Sequence, residues 1–204
     1  MSIAICIPAR LESSRLKEKM LIEVDGKPLI KSVYDKVKEF GYDTYVVTNS
    51  NKIASLFSSN CIMTDSFENG TARIASIIDK YKYSSYINVQ GDLIDVTKEL
   101  VNKIAEELPS EDLVTAYTKN KSSVRVVHDG SNAHWFTRKD LGYGDYHVGI
   151  YGYSYNALDW YRSMEQTEPE LKEDLEQLRF IPAFDVALVE HDYKGREINT
   201  VDDL

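Results

Sequence analysis

Short apolar runs alternate with stretches of helical periodicity through the first 110 residues, and this alternation most restricts what the chain can fold into. Residues 3–7 (IAICI) are continuously apolar, as a strand buried on both faces requires. After the turn Asp25-Gly26-Lys27-Pro28, the residues Leu29, Ile30, Val33, Tyr34 and Val37 recur at helical spacing. They predict a helix to about residue 40, with Pro28 at its first position. Residues 44–48 (TYVVT) predict a second strand, Asn49-Ser50-Asn51 a helix cap with a helix to about 58, and 60–63 a third strand. A helix is expected over 71–81, with Ile74, Ile77 and Ile78 on one face. A fourth strand over 85–89 (SYINV) and a helix over 97–108 follow. Strand and helix in repeated alternation specify an α/β fold: a mainly parallel, Rossmann-like sheet with helices on both faces.

Beyond residue 110 the texture changes. Strands are expected over 113–117, 123–127 and 134–137, with a turn at Asp129-Gly130, giving a small appended β lobe over about 112–146. A strand over 147–153, helices over 155–162 and 168–180, and a late strand over 185–190 complete the pattern. At 204 residues, with neither internal repeats nor low-complexity tracts, residues 1–204 are expected to form a single domain.

A net charge of −9 offers no general attraction to a phosphate backbone, so nucleic acid is not an expected partner. No stretch approaches eighteen apolar residues, and the N-terminus lacks a basic-then-apolar leader, so neither membrane nor secretion is expected. Cys6 and Cys61 are the only cysteines; neither belongs to a metal-ligand pair, and both read as buried thiols of a cytoplasmic protein. The glycosylation-like triplet Asn69-Gly70-Thr71 is then a chance match.

Against that acidic background, the loop after the first strand carries cations at Arg10, Arg15, Lys17 and Lys19. Loops leaving the carboxyl ends of strands are where ligands bind in α/β sheets. Four cations there suit a polyanion, and Ser13 and Ser14 let the backbone pass close to phosphate oxygens. Asp92 directly follows the fourth strand, behind Gly91, whose missing side chain is expected to leave room for a ligand. A carboxylate in that place suits Mg²⁺, or is simply a turn or N-cap residue. Neither a P-loop nor a Gly-x-Gly-x-x-Gly pattern is present. Asn69-Gly70-Thr71-Ala72-Arg73 opens a helix, and its backbone N–H groups with the Thr and Arg side chains suit a nucleobase or an anion, or merely a solvated helix start. Glu170, Glu173, Glu176, Gln177 and Arg179 form a polar stripe at helical spacing, with Leu171, Leu175 and Leu178 as its apolar counterpart. That stripe reads as the solvent face of one amphipathic helix.

Taken in order, IPARLESSRLKEK, DGKPLI, NGTAR, NVQGD, VRVVHDG, FTR, HVGIYGY and EDLEQLR resemble the CMP-KDO synthetases, the cytidylyltransferases that activate 3-deoxy-manno-octulosonate (KDO). The CMP-sialate synthetases resemble the first part more loosely. The resemblance runs from residue 1 to 204 and implies a nucleotidyltransferase sheet of the glycosyltransferase-A-like type. It places Ala9, Arg10, Ser13, Arg15 and Lys19 on the triphosphate loop, and Thr71 and Arg73 where the cytidine of CTP is read. Lys19, Arg15 and Asp92 become the catalytic set. Gln90, Arg138, His147, Tyr151, Glu173, Glu176 and Gln177 fall around the sugar-acid pocket, with Arg138 suited to the carboxylate.

Mg²⁺ is the implied cofactor, on Asp92 and on the position of Asn199, where the family carries an aspartate. Leu93 and Ile94 stand in place of an acid and a proline, and Ala72 in place of an acid. The connection from Arg138 to His147 is shorter than the family's dimer-contact segment, so a monomer or weak homodimer is expected. The implied reaction is CTP plus KDO giving CMP-KDO and diphosphate, for lipopolysaccharide or surface-glycan synthesis. A sialate-like or amino-substituted acid, or a weakened nucleotide- or sugar-binding homologue, remains an alternative.

Overall fold

The computed structural model describes residues 2–12, 16 and 18–195. Ser13, Ser14, Arg15, Lys17 and Asn199 therefore lie outside the described residues. Among the described residues there are eleven strands: β1 (Ile3–Ala9), β2 (Glu23–Val24), β3 (Lys27–Pro28), β4 (Asp43–Thr48), β5 (Cys61–Met63), β6 (Ser85–Val89), β7 (Leu113–Thr118), β8 (Arg125–His128), β9 (Ala133–Thr137), β10 (Asp145–Ser154) and β11 (Ala187–Glu190). The α-helices are α1 (Leu29–Lys38), α2 (Asn51–Ala54), α3 (Gly70–Ala75), α4 (Ile78–Tyr81), α5 (Lys98–Glu107), α6 (Tyr155–Ser163) and α7 (Glu168–Glu173).

The main sheet runs in the order β11-β7-β10-β6-β1-β4-β5. β6, β1, β4 and β5 are mutually parallel, β10 is antiparallel to both β6 and β7, and β11 is parallel to β7. One reversed strand in an otherwise parallel sheet bears out the mainly parallel expectation. The two-residue period of β1 divides the core into two layers. Ile5 and Ile7 face the layer packed by α1, α2 and α5, whereas Ala4 and Cys6 face that of α3, α4 and α6. Burial pushes the Cys6 thiol up to about 12. Cys61, expected to be buried, is only half-buried on the edge strand β5.

Within residues 112–146, β7 belongs to the main sheet, while β8 and β9 form a hairpin attached to β10 at Asp145 and Tyr146. Among the described residues no helix is long and apolar enough to cross a membrane.

Four local expectations need correction, and the first is the helix expected to about residue 58, which is only the single turn α2 ending at Ala54. Pro28 lies just before α1 and closes the small β2–β3 pairing, with ψ 136 rather than a helical angle. The helix expected over 71–81 is two helices with Ser76 and Ile77 between them. The helix expected over 168–180 ends at Glu173. Asp174 takes the left-handed conformation (φ 55), Leu175 is extended, and residues Glu176–Arg179 form a separate 3₁₀ turn. A left-handed residue ends the α-helical ladder, so the polar stripe cannot lie along one solvent-facing helix.

Candidate active site

The carboxyl ends of β1 and β6 open into a cavity of about 490 Å³. From β1 come Pro8, Ala9 and Arg10, and from the turn after β6 come Gln90, Gly91 and Asp92. This is where an α/β sheet is expected to hold its ligand.

Lys19 sits in a 3₁₀ turn, Lys19–Leu21, and is almost wholly buried. Its Nζ donates to Asp92 Oδ2 at 2.5 Å, pairing two of the three groups expected to be catalytic. Gly91 is needed for a different reason from the expected one. A Cβ there would lie 2.7 Å from Met20 Sδ and 3.1 Å from Ile30 Cδ1, so the missing side chain makes room for packing rather than for a ligand. Arg10 is exposed and donates from Nη1 to the Glu68 carbonyl at 3.4 Å. Gly70, at the start of α3, faces Pro8 of β1, and a Cβ there would come within 2.9 Å of Pro8 Cγ.

α3 begins where the sequence placed it. The Asn69 side-chain oxygen accepts from the Ala72 N–H at 2.8 Å, a standard N-cap. Arg73 is not the solvated residue of a plain helix start. It is 3% exposed, donates from Nη1 to Thr64 Oγ1 at 2.7 Å and to the Asp65 carbonyl at 3.1 Å, and still lines the cavity. Burial, reinforced by the Arg10 charge, lowers its pKa from the ordinary guanidinium value. Thr71 lies beneath the surface with no exposure, so it is placed to support the cavity rather than to touch a ligand. The Tyr153 hydroxyl donates to Thr71 Oγ1 and Thr71 Oγ1 donates to Glu176 Oε1, each at 2.8 Å.

Across the cavity, Arg138 follows β9 and is exposed. Its Nη2 donates to the Asp174 carbonyl at 3.2 Å, so its charge remains uncompensated by that contact. Glu173 is not among the residues that line the cavity; it accepts from Thr137 Oγ1 at 2.7 Å and from the Arg138 N–H at 3.4 Å, which makes it a support for Arg138. His147 and Tyr151, both buried on β10, line the cavity with ring centroids 5.2 Å apart. The Thr115 hydroxyl donates to the Ile150 carbonyl at 2.6 Å and so accepts from His147 Nε2 at 3.0 Å, which assigns a proton to Nε2. Burial raises the Tyr151 hydroxyl far above its ordinary value and keeps it a donor.

Glu176 is half-buried, and burial raises its carboxyl against hydrogen bonds from Thr71 and Gly70. Gln177, which is 2% exposed and lines the cavity, carries an Nε2 with no hydrogen-bond partner. A buried amide donor is costly unless satisfied, so this atom is a ready contact for an oxygen-rich ligand.

The structure thus brings Ala9, Arg10, Lys19, Arg73, Gln90, Asp92, Arg138, His147, Tyr151, Glu176 and Gln177 to one cavity. Thr71 and Glu173 stand behind it. Sequence reasoning missed Glu68 and the Ser122-Ser123 pair, which also line it. The hydroxyl pair ahead of β8 was a usable signal, whereas Glu68 carried none. It also read Glu170 and Arg179 as solvated, and both are 3% exposed. No cluster of three acidic, His or Cys side chains suited to a metal exists among the described residues. Asp92 supplies one carboxylate to the cavity, which matches an ion that takes one or two carboxylates and completes its shell with phosphate oxygens and water.

A parallel sheet with a single reversed strand, and a cation-bearing cleft at the ends of its first and central strands, define a nucleotidyltransferase-like protein. The chain belongs to the cytidylyltransferase family, whose model it matches over residues 4–187, and within it to the 3-deoxy-manno-octulosonate cytidylyltransferases. It is 33% identical to the 3-deoxy-manno-octulosonate cytidylyltransferase of Francisella tularensis subsp. novicida, over 88% of this chain and 86% of that protein. It is 37% identical to the enzyme of the same name from Rickettsia rickettsii, over 87% and 83%. A solved CMP:2-keto-3-deoxy-manno-octonic acid synthetase complexed with CTP superposes with a TM-score of 0.88 at 29% identity, covering 98% of this chain and 94% of that one.

Proposed function

We propose that this enzyme joins CTP to 3-deoxy-manno-octulosonate, forming CMP-KDO and diphosphate. The observation that carries the reading is one cavity holding two sets of groups. Arg10 and Lys19 suit a triphosphate and Arg73 its nucleoside, while Arg138, His147, Tyr151 and Gln177 suit a hydroxylated acid. The named relatives and the CTP-bound structure support the same pair of substrates.

In the reaction the anomeric hydroxyl oxygen of the sugar forms a bond to the α-phosphorus. The bond from that phosphorus to the bridging oxygen breaks, diphosphate leaves, and the hydroxyl proton is released. Both substrates are anions, so repulsion is a large part of the barrier, and preorganised cations lower it. Arg10 and Lys19, with Ser13 and Arg15 of the same loop, take the triphosphate, and Ala9 lets the backbone approach it. Arg73 serves the nucleoside end, with Thr71 beneath it. Arg138 pairs with the sugar carboxylate, held in place by Glu173 and the Asp174 carbonyl. Gln90, His147, Tyr151, Glu176 and Gln177 offer hydrogen bonds to the sugar hydroxyls. Mg²⁺, held by Asp92 and by the Asn199 amide oxygen, would supply charge neutralisation and a lowered pKa for the sugar hydroxyl. Asp92 must exchange its Lys19 partner for that role, which frees the ammonium for phosphate. No covalent enzyme intermediate is required.

The enzyme would work in the cytoplasm, as its two unpaired thiols suggest. It would be a monomer or weak homodimer, because the short connection between β9 and β10 offers little area against the roughly 1,600 Å² of a standard interface. Light scattering over a concentration range reads this directly, and a dimer persisting at nanomolar concentration would contradict it.

Diphosphate release with a panel of nucleoside triphosphates and sugar acids tests the reading. CTP with the KDO acid should be preferred, activity should vanish in excess chelator, and Arg138→Ala should raise the KM for the acid. Equal turnover of all four nucleotides, or preference for a sialate or amino-substituted acid, would replace it.

A further inference from the structure

Behind the cavity wall, two stretches of chain are joined by a closed ring of polar contacts that no catalytic role requires. Tyr161, on α6, is wholly buried. Its hydroxyl accepts from Asn69 Nδ2 at 2.9 Å and donates to Glu170 Oε1 at 3.4 Å. Glu170 is gripped by the Arg179 guanidinium through two bonds, Nε to Oε2 at 2.7 Å and Nη2 to Oε1 at 2.6 Å. Arg179 stacks on the Tyr161 ring, 3.9 Å from its centroid, and lies in the same 3₁₀ turn as Glu176 and Gln177. Glu176 then accepts from Thr71, two residues beyond Asn69 in the opening turn of α3, and the ring is closed.

Each link is buried or half-buried, so bonds exchange little with water and a displaced donor or acceptor has no ready substitute. The ring passes through both walls of the cleft. One side carries Asn69 and Arg73, the other Glu176 and Gln177. The aromatic stack and the forked Arg179–Glu170 pair make the turn at Glu176–Arg179 a fixed platform rather than a loop end.

We propose that Tyr161 is a positioning residue that closes a buried polar ring and so fixes the nucleotide wall of the cleft relative to the sugar-acid wall. This rests on the assignment of CTP and a sugar acid to the two walls. Binding at one wall then depends on the geometry of the other, without any direct contact from Tyr161 to either substrate.

The test uses the full chain as wild type, Tyr161→Phe, Thr71→Val and the double variant. Tyr161→Phe keeps the ring stack and removes only the hydroxyl. Thr71→Val opens the ring at its other end and stands in should Tyr161→Phe fail to fold. Calorimetry gives the CTP Kd, diphosphate release gives KM and kcat, and thermal melting reports the fold. Each single variant is expected to raise the CTP Kd and the acid KM by about three- to tenfold, the weight of one neutral hydrogen bond. The kcat of Tyr161→Phe should stay within about twofold. A ring cut once is already open, so the double variant should be little worse than the worse single one. A lowered Tm with unchanged Kd and KM would show a purely structural role, and multiplicative losses in the double variant would show independent contacts; either overturns the proposal. Wild-type protein that binds CTP but releases no diphosphate with KDO would refute the substrate assignment instead. The CTP Kd of Tyr161→Phe would still decide the ring, an unchanged value overturning it.

Discussion

Glu176 carries a tension that a single substitution can expose. Burial raises its carboxyl pKa above the ordinary value near 4.5, even though Thr71 and Gly70 donate hydrogen bonds to it. A folded-state pKa above the unfolded one means that the native protein binds this proton more tightly. The associated stability is complete below the unfolded pKa and is lost as pH rises through the folded one. Glu176→Gln removes that loss while keeping an oxygen for Thr71. The difference in Tm, variant minus wild type, should therefore become more positive between about pH 4 and about pH 8. A difference that does not change with pH would contradict this origin. Residue-scale legibility was uneven. Arg10 and Asp92 were readable because they come just after β1 and β6, and Lys19 because it belongs to the run of cations in the loop that follows β1. Glu170 and Arg179 were misread because a charge at helical spacing is normally solvated, and only the fold brings these two within 2.6 Å of each other.

Elements were more legible than their ends. β1, β6 and α5 appear where apolar spacing placed them, and the Thr97 hydroxyl caps α5 by accepting from the Leu100 N–H at 3.2 Å. The break after α7 escaped notice because neither Gly nor Pro marks it; Asp174 supplies the left-handed turn instead. Its effect is to swing Glu176 and Gln177 into the cleft and to leave Leu171, assigned to the apolar side, 62% exposed. Packing between elements makes its own prediction at Gly152 of β10. A Cβ there would lie 2.6 Å from Ile104 Cγ2 and 3.1 Å from both Leu108 methyls of the α5 region. Gly152→Ala must push α5 off the sheet, and overpacking of this kind costs about 1–3 kcal/mol. Urea unfolding should show a lower midpoint at unchanged slope, whereas an unshifted midpoint would mean that the helix yields freely.

For the whole molecule, a chain of net charge −9 concentrates Arg10, Lys19, Arg73 and Arg138 around one cavity. Acidic side chains including Glu68, Asp92 and Glu176 line the same cavity, so these cations act on a bound anion at close range rather than through a net positive field. That concentration was foreshadowed by the basic loop after β1, but the meeting of β9, β10 and the Glu176–Arg179 turn across from it is a property of the sheet order and not of any segment. The central claim is that this cleft brings a nucleoside triphosphate and a keto-sugar acid together and joins them. Phosphorus NMR of the protein with CTP, Mg²⁺ and 3-deoxy-manno-octulosonate follows every phosphate at once. The three CTP resonances should give way to diphosphate and a single new phosphodiester resonance in equimolar amounts, only when the acid is present. Unchanged CTP, or release of phosphate without a phosphodiester and regardless of the acid, would contradict the account.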